Sequence, residues 1–389
     1  MSSFNVGVIG IGDISDVYFD NLKLFDIVRV LGCAGRDLGK AEAKAAQHGI
    51  PRAYRDAMAL IADPDIDIIL NLTHPAVHAE LNLAALAAGK HVYSEKPLAA
   101  SFADGQRIMA LAKDKGLRVG CAPDTFLGGR LQACRKLIDD GVIGQVTAAS
   151  AFAVSHGMEW FHPNPAFVYQ QDCGPLLDIG PYYVTALLSL LGTVESGCAL
   201  SNRAFAQRTM HYGPQQGETF EVGVDTHISG NLAFSNGAVA TIVTSFDVWD
   251  SELPRLEIYG TKGTLCLRDV DPCDGPNLFG GTLLLRTESN YRWKNMPRQT
   301  PGSDWIEVES RHPFNSVSHA RNSRGIGLVD MAYAIRDQRP ERASGAMALH
   351  ALEVMDKLIN SARSRTFFTT ETRFERPAAL PIDFPASEG

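Results

Sequence analysis

The segment near the amino terminus constrains the fold more than any other: Val6-Gly7-Val8-Ile9 runs into Gly10-Ile11-Gly12-Asp13-Ile14-Ser15, and an amphipathic stretch comes next. A β-branched run that breaks at Gly-x-Gly-x-x-small and continues as a helix is a strand–turn–helix unit. Gly10 permits the tight turn and Gly12 lets backbone approach a pyrophosphate, whose charge meets the free N–H groups of the helix terminus. Gly10, Ile11, Gly12, Asp13 and Ile14 are therefore expected along a dinucleotide, with Ser15 replacing the usual third glycine, small for small. A match of this kind alone is weak, and a purely structural turn is the alternative. A second copy, Gly325-Ile326-Gly327, stands after no strand and is expected only to start a helix.

The chain beyond the first copy supports the dinucleotide reading. Residues 4–122 alternate β-branched runs (Asn5–Ile9, Ile27–Ala34, Ile66–Leu70, His91–Tyr93, Arg118–Cys121) with alanine-rich helical stretches (Leu38–His48, Pro75–Ala88, Phe102–Lys115). That spacing predicts βαβ units and a parallel sheet, with Gly49, Gly89 and Gly116 where helix C-terminal glycines belong. After Asp124 the pattern changes to strands with hairpin signals, Ser235-Asn236-Gly237 and Thr261-Lys262-Gly263. Helical segments near Gly325–Asp337 and Ser344–Ser364 close the chain, and the Pro/Gly-rich stretch 271–303 reads as a long surface excursion. The expected architecture is α/β: a Rossmann dinucleotide-binding domain over 1–123, then an α+β domain over 124–389 with a large, mainly antiparallel sheet.

Composition excludes several classes. The length of 389 residues fits two or three domains. A net charge of −8 disfavours nucleic acid as a partner. The 7 cysteines are scattered without a CxxC, as reduced thiols are. With no signal-like amino terminus and no apolar run long enough to span a membrane, a cytoplasmic protein is expected.

The second strand ends Cys33-Ala34-Gly35-Arg36-Asp37, where this fold places its reader of the adenosine ribose. Gly35 stands where an acid usually does. Without that carboxylate nothing repels a 2′-phosphate, and Arg36 with Lys40 one turn later can clasp one, so NADP is favoured over NAD. The alternative is Asp37 on the ribose, Arg36 stacked on adenine and Lys40 in solvent.

Glu95-Lys96-Pro97 comes after the strand ending at Tyr93, which sets a lysine at the carboxyl edge of a parallel sheet, the ligand edge of such folds. Leu72-Thr73-His74-Pro75-x-x-His78 and Gly89-Lys90-His91-Val92 precede it. This ordered set resembles the Gfo/Idh/MocA oxidoreductases, named for glucose–fructose oxidoreductase and inositol dehydrogenase. Gly174-Pro175-Leu176-Leu177-Asp178-Ile179-Gly180-Pro181-Tyr182-Tyr183 resembles the family's GGxxxDxGxH segment, and Glu257–Leu265 and Arg324–Ile335 resemble its later parts.

The resemblance implies hydride transfer between NAD(P) and a secondary hydroxyl or ketone of a sugar, glycoside or polyol. It implies Lys96, Asp178 and Tyr182 as the catalytic set, with tyrosine where many members carry histidine, as glucose–fructose oxidoreductase and dihydrodiol dehydrogenase-like members do. Tyr182 is the expected acid/base. Lys96 polarises the oxygen and pulls the tyrosine pKa down, and Asp178 orients substrate or lysine. Pro181 is tolerated only in a first helical turn, so Asp178 precedes or opens that helix. Thr73, His74, Pro75, His78, Glu95 and Lys96 are placed along the cofactor, and Asp124, Trp160, His162, Asp247 and Trp249 in segments that surround substrate. The Lys96–Pro97 bond is expected to be cis, no metal is used, and a homodimer or homotetramer is implied. Two other functions stay open: a glycoside hydrolase that oxidises its substrate transiently and keeps its NAD, and a dinucleotide-sensing regulator without chemistry.

Overall fold

A computed structural model describes residues 3–171, 173–269, 277–291, 304–314 and 322–385. The chain forms two compact units. The first comprises Met1–Gly128, Ser318–Glu353 and Thr372–Gly389; the second comprises Gly129–Val317 and Val354–Glu371. The crossing at Gly128–Gly129 lies near the expected boundary at Asp124. The expectation that everything after it forms one domain is corrected, because two later segments rejoin the first unit.

In the first unit, strands β1 (Phe4–Ile9), β2 (Val28–Ala34), β3 (Arg52–Tyr54), β4 (Ile68–Asn71), β5 (His91–Ser94) and β6 (Val119–Cys121) form a parallel sheet in the order β3-β2-β1-β4-β5-β6. β3 is only three residues long, too short to show as a strand in the sequence pattern. Helices α1 (Asp13–Leu22), α2 (Leu38–His48), α3 (Ala57–Ile61), α4 (His78–Ala87) and α5 (Phe102–Lys115) alternate with the strands. A parallel sheet covered on both faces needs near-continuous apolar strands, and Val6, Val8, Ile68, Ile69, Leu70 and Val92 are fully buried. Each such side chain contributes roughly 1.5–3 kcal/mol on burial. Three of these helices begin on side-chain caps, Asp37 for α2, Asp56 for α3 and Ser101 for α5, and α2 and α5 end on left-handed Gly49 and Gly116.

In the second unit, α6 (Gly129–Asp139), β7 (Val146–Val154), α7 (Pro175–Asp178) and α8 (Gly180–Leu191) precede strands β8 (Val194–Asn202), β9 (Gln207–Thr209), β10 (Thr219–Glu221), β11 (His227–Phe234), β12 (Val239–Ser245), β13 (Leu256–Gly260), β14 (Gly263–Arg268), β15 (Thr282–Thr287) and β16 (Ile306–Val308). Helix α9 (Ile326–Arg336) belongs to the first unit, α10 (Gly345–Ser364) passes from the first to the second, and β17 (Phe368–Thr369) ends in the second. The nine-stranded sheet runs β16-β15-β14-β13-β7-β12-β11-β8-β17. Its pairs are antiparallel except β7 with β12. Both hairpin signals lie where expected, between β11 and β12 and between β13 and β14. Ala149, Ala151 and Ala153 of β7 point to the buried face, where α8 packs. β15 corrects the expected surface excursion over 271–303: Thr282-Leu283-Leu284-Leu285-Arg286-Thr287 pairs in register with β14, and flanking glycines and prolines masked a short strand. Residues 271–276 and 292–303 of that stretch lie outside the described residues.

Candidate active site

Because all strands of the first sheet are parallel, the turns after β1, β2, β4 and β5 gather at one edge, with the order reversing between β1 and β4. Gly10 has φ +101°, and a Cβ there would lie 2.7 Å from the carbonyl carbon and oxygen of Leu72, so only glycine fits. Gly12 caps α1 with φ −72°, and nothing lies within 4 Å of where its Cβ would stand. That open cradle, faced by the first N–H groups of α1 beside Ile11, Asp13 and Ile14, fits a diphosphate. Ser15 is buried and donates to the Gly12 carbonyl at 2.6 Å, so the substitution for the third glycine ties the turn to its helix.

After β2, a side chain at Gly35 would press on Ile11, whose Cδ1 lies 2.6 Å from the Cβ position. The Asp37 carboxylate accepts from the Lys40 N–H at 3.0 Å as the cap of α2. Arg36 and Lys40 are exposed.

After β4, His74 caps a short turn that begins at Pro75, and the Thr73 hydroxyl donates to Asn71 Oδ1 at 2.6 Å. Asn71 Nδ2 donates to Asn82 Oδ1, and Asn82 Nδ2 reaches Ser94 and the Leu98 carbonyl. Asn71, Asn82 and Ser94 are fully buried. Sequence reasoning missed them; the signal available was Asn82 one turn after His78 in an otherwise apolar helix. His78 itself is fully buried with both ring nitrogens on backbone carbonyls. The expected cofactor contact is therefore corrected to a place inside the fold.

After β5, the Lys96–Pro97 peptide is cis. The Glu95 carboxylate accepts from the Lys96 N–H at 2.9 Å and from the Tyr18 hydroxyl at 2.9 Å, and the Arg324 guanidinium stands 3.9 Å away. Glu95 thus holds the lysine backbone from behind, braced by α1 and by the segment entering α9. Asp124, expected near substrate, is instead sealed in: it is 1% exposed and accepts from the Tyr93 hydroxyl and, at 2.5 Å, from the Gly325 N–H. A Cβ at Gly327 would strike both Tyr93 and Asp124. The second Gly-x-Gly does start a helix, and its glycines also seat this pair. Burial pushes the Asp124 carboxyl up to about 7, against the Tyr93 and Gly325 hydrogen bonds that lower it.

In the second unit, α7 ends at Asp178 and α8 carries Pro181 in its first turn, as the proline requires. Tyr182 is 4% exposed, and its ring meets Phe279 edge-on at 6.4 Å. Ile179, next to Asp178, packs against the buried cluster of Val168, Tyr169, Val222 and Phe246. The loops around that cluster carry exposed rings: Trp249 stacks on His156 at 3.4 Å and Trp160 on His211 at 3.8 Å. His162 lies against Phe167 and accepts from the Asn164 N–H. Asp247 is corrected from a substrate-facing group to a structural one. One oxygen pairs with buried Arg208 and the other accepts from Thr226 at 2.6 Å, while Arg208 also pairs with Glu159. Arg208, Glu159 and Tyr169 were not anticipated.

Among the described residues no three His, Cys, Asp or Glu side chains converge as metal ligands. No described helix is long and apolar enough to cross a membrane.

Residues 4–122 match the oxidoreductase family with an NAD-binding Rossmann fold, and residues 131–266 match the GFO/IDH/MocA C-terminal domain. The chain is 30% identical to mouse trans-1,2-dihydrobenzene-1,2-diol dehydrogenase, over 78% of this chain and 82% of that one. It is 30% identical to D-xylose 1-dehydrogenase (NADP(+)) 2 of Haloferax volcanii, over 64% and 72%. The apo form of a levoglucosan dehydrogenase superposes with a TM-score of 0.79 at 21% identity, covering 96% of this chain and 100% of that one. The chain belongs to the GFO/IDH/MocA family of NAD(P)-dependent oxidoreductases.

Proposed function

We propose that this oxidoreductase interconverts a secondary hydroxyl and a ketone on a sugar, glycoside or polyol, with NADP preferred over NAD. The observation that carries the reading is Lys96, fixed at the carboxyl end of β5 on the same sheet edge as the open Gly10–Gly12 cradle. The bound nicotinamide supplies the hydride chemistry. The Lys96 ammonium donates a hydrogen bond to the substrate oxygen and favours its anionic form. Tyr182 as the phenolate takes the hydroxyl proton in oxidation and as the phenol returns it in reduction, and Asp178 orients the hydroxyl or the lysine. The exposed Trp160 and Trp249 rings suit the apolar faces of a cyclic substrate. Relatives named for a dihydrodiol, xylose, inositol and levoglucosan support a cyclic alcohol as the substrate class.

NADP preference rests on three features: no acid at residue 35, Asp37 engaged as a helix cap, and Arg36 and Lys40 exposed one turn apart. We place the enzyme in the cytoplasm, consistent with free thiols at Cys33, Cys121, Cys134, Cys198 and Cys266. We infer a homodimer or homotetramer, supported by half-buried Ser150, Phe152 and Val154 on the sheet face opposite α8.

The test is a panel of sugars, glycosides and polyols with NAD and NADP, monitored by absorbance of the reduced nicotinamide. Stoichiometric NADPH formation is expected, with K96A and Y182F each losing about 10²–10⁴ in kcat. R36A and K40A should each raise KM for NADP about tenfold and leave NAD little changed. Glycoside cleavage without net cofactor reduction would overturn the dehydrogenase reading in favour of the redox-neutral hydrolase.

A further inference from the structure

His78 opens α4 and is completely buried, yet the ring does not rest among apolar neighbours alone. Nδ1 lies 2.7 Å from the Pro97 carbonyl oxygen and Nε2 lies 2.8 Å from the Thr73 carbonyl oxygen. These two acceptors belong to different loops. Thr73 lies just past β4 and Pro97 just past β5, directly after Lys96. One turn later on the same helix, Asn82 repeats the connection through Asn71 on the β4 side and Ser94 and Leu98 on the β5 side. Neither loop is otherwise tied to the other by side chains of this helix among the described hydrogen bonds, so the first turns of α4 act as a rivet between them.

We infer that His78 is a positioning residue: its ring sets the Thr73 loop, proposed here to lie along the dinucleotide, against the Lys96–Pro97 loop, proposed above to carry the catalytic ammonium. The inference rests on the role proposed above for Lys96. An imidazole carries one N–H when neutral and two when protonated, so both carbonyls are satisfied together only by the cation. Burial opposes that charge and pushes the ring pKa down. The two carbonyls and the Glu95 carboxylate push it up, and His74 adds to the lowering. The clamp is therefore fullest at the acidic end of the working range.

Two substitutions separate the bonds, because an asparagine amide nitrogen sits near Nδ1 of histidine and a glutamine amide nitrogen near Nε2. H78N keeps a donor for Pro97 and loses the one for Thr73; H78Q does the reverse. Assayed at the lowest pH at which the wild type is active, H78N should raise the Kd for NADP about tenfold with kcat within threefold of wild type. H78Q should lower kcat about tenfold with the Kd for NADP within threefold. Equal effects of both variants on both quantities, or none in either, overturn the clamp. If either variant fails to fold, ¹⁵N-histidine spectra of the wild type take its place: NADP is expected to shift Nε2 of His78 more than Nδ1, and no shift at either nitrogen overturns the proposal. A wild type that turns over no alcohol with NADP defeats the assignment of Lys96 instead, and the Kd for NADP of H78N still tests the clamp.

Discussion

Asp124 is held between a phenol and a backbone N–H with almost no access to water, and burial raises its pKa to about 7 from an ordinary carboxylate value near 3.8. Proton counting gives the sign of the consequence. The folded chain binds a proton at this site over a pH range in which the unfolded chain has already released it. The contribution of Asp124 to stability is therefore present below about pH 4 and declines as pH rises to about 7. Urea unfolding across that range should show the decline, and D124N, which carries no titrating proton and keeps an oxygen to accept from the Gly325 N–H, should flatten it. An unchanged slope in D124N would show that the proton resides elsewhere. Nothing near Asp124 in the chain announces this role, since Gly325 and Gly327 approach it from about 200 positions away. Asp247 teaches the same lesson. A carboxylate in a segment rich in aromatic residues looks like a ligand for substrate until Arg208 and Thr226 are seen on its two oxygens.

At the scale of elements, the turn from β1 into α1 uses its two glycines for different reasons, and the difference is measurable. Gly10 has a left-handed φ and the Leu72 backbone at 2.7 Å, so G10A should cost at least about 2 kcal/mol in unfolding free energy. Gly12 has an ordinary φ and open space, so G12A should keep the wild-type melting temperature and lose dinucleotide affinity, read by NADPH fluorescence titration. Equal loss of stability in both variants would sink the distinction. Elements of this kind were legible because glycine, proline and strand–helix alternation act locally: the cradle and the break before α8 are set by neighbours in sequence, whereas the cis Lys96–Pro97 peptide was expected only from the family resemblance. The α4 rivet was not, because buried His78 and Asn82 have the same letters as a solvated face, and only the position of the two loops decides between them. β15 was hidden for a related reason, since a short edge-side strand draws its register from β14 rather than from its own flanks.

The path of the whole chain bears on how the nucleotide-binding unit holds together. Its first 128 residues contain every strand of the parallel sheet, but not every contact that completes the unit. Leu352 of α10 lies in the core beside Ile108 and Val119, with Leu349 packed against it. Asn21 donates to the carbonyls of Asn322 and Arg324, and Ser344 bridges to Gly120 at the end of the sheet. Phe384, 2% exposed, contacts both Phe25 and Tyr333, so it closes over α9 and the loop after α1. Losing a buried phenylalanine alone typically costs about 3–5 kcal/mol, which is a large part of the roughly 5–15 kcal/mol that a domain has in total. A fragment ending at Gly128 loses Phe384, Leu352 and the acceptors for Asn21 together. It should therefore lack a cooperative thermal transition and bind the dye ANS, as exposed apolar surface does. F384A in the full chain should fold and still bind NADPH, but with NADPH binding lost at a lower temperature than in the wild type. A sharp transition from the 1–128 fragment, with wild-type affinity for NADPH, would show that the parallel sheet and its own helices suffice.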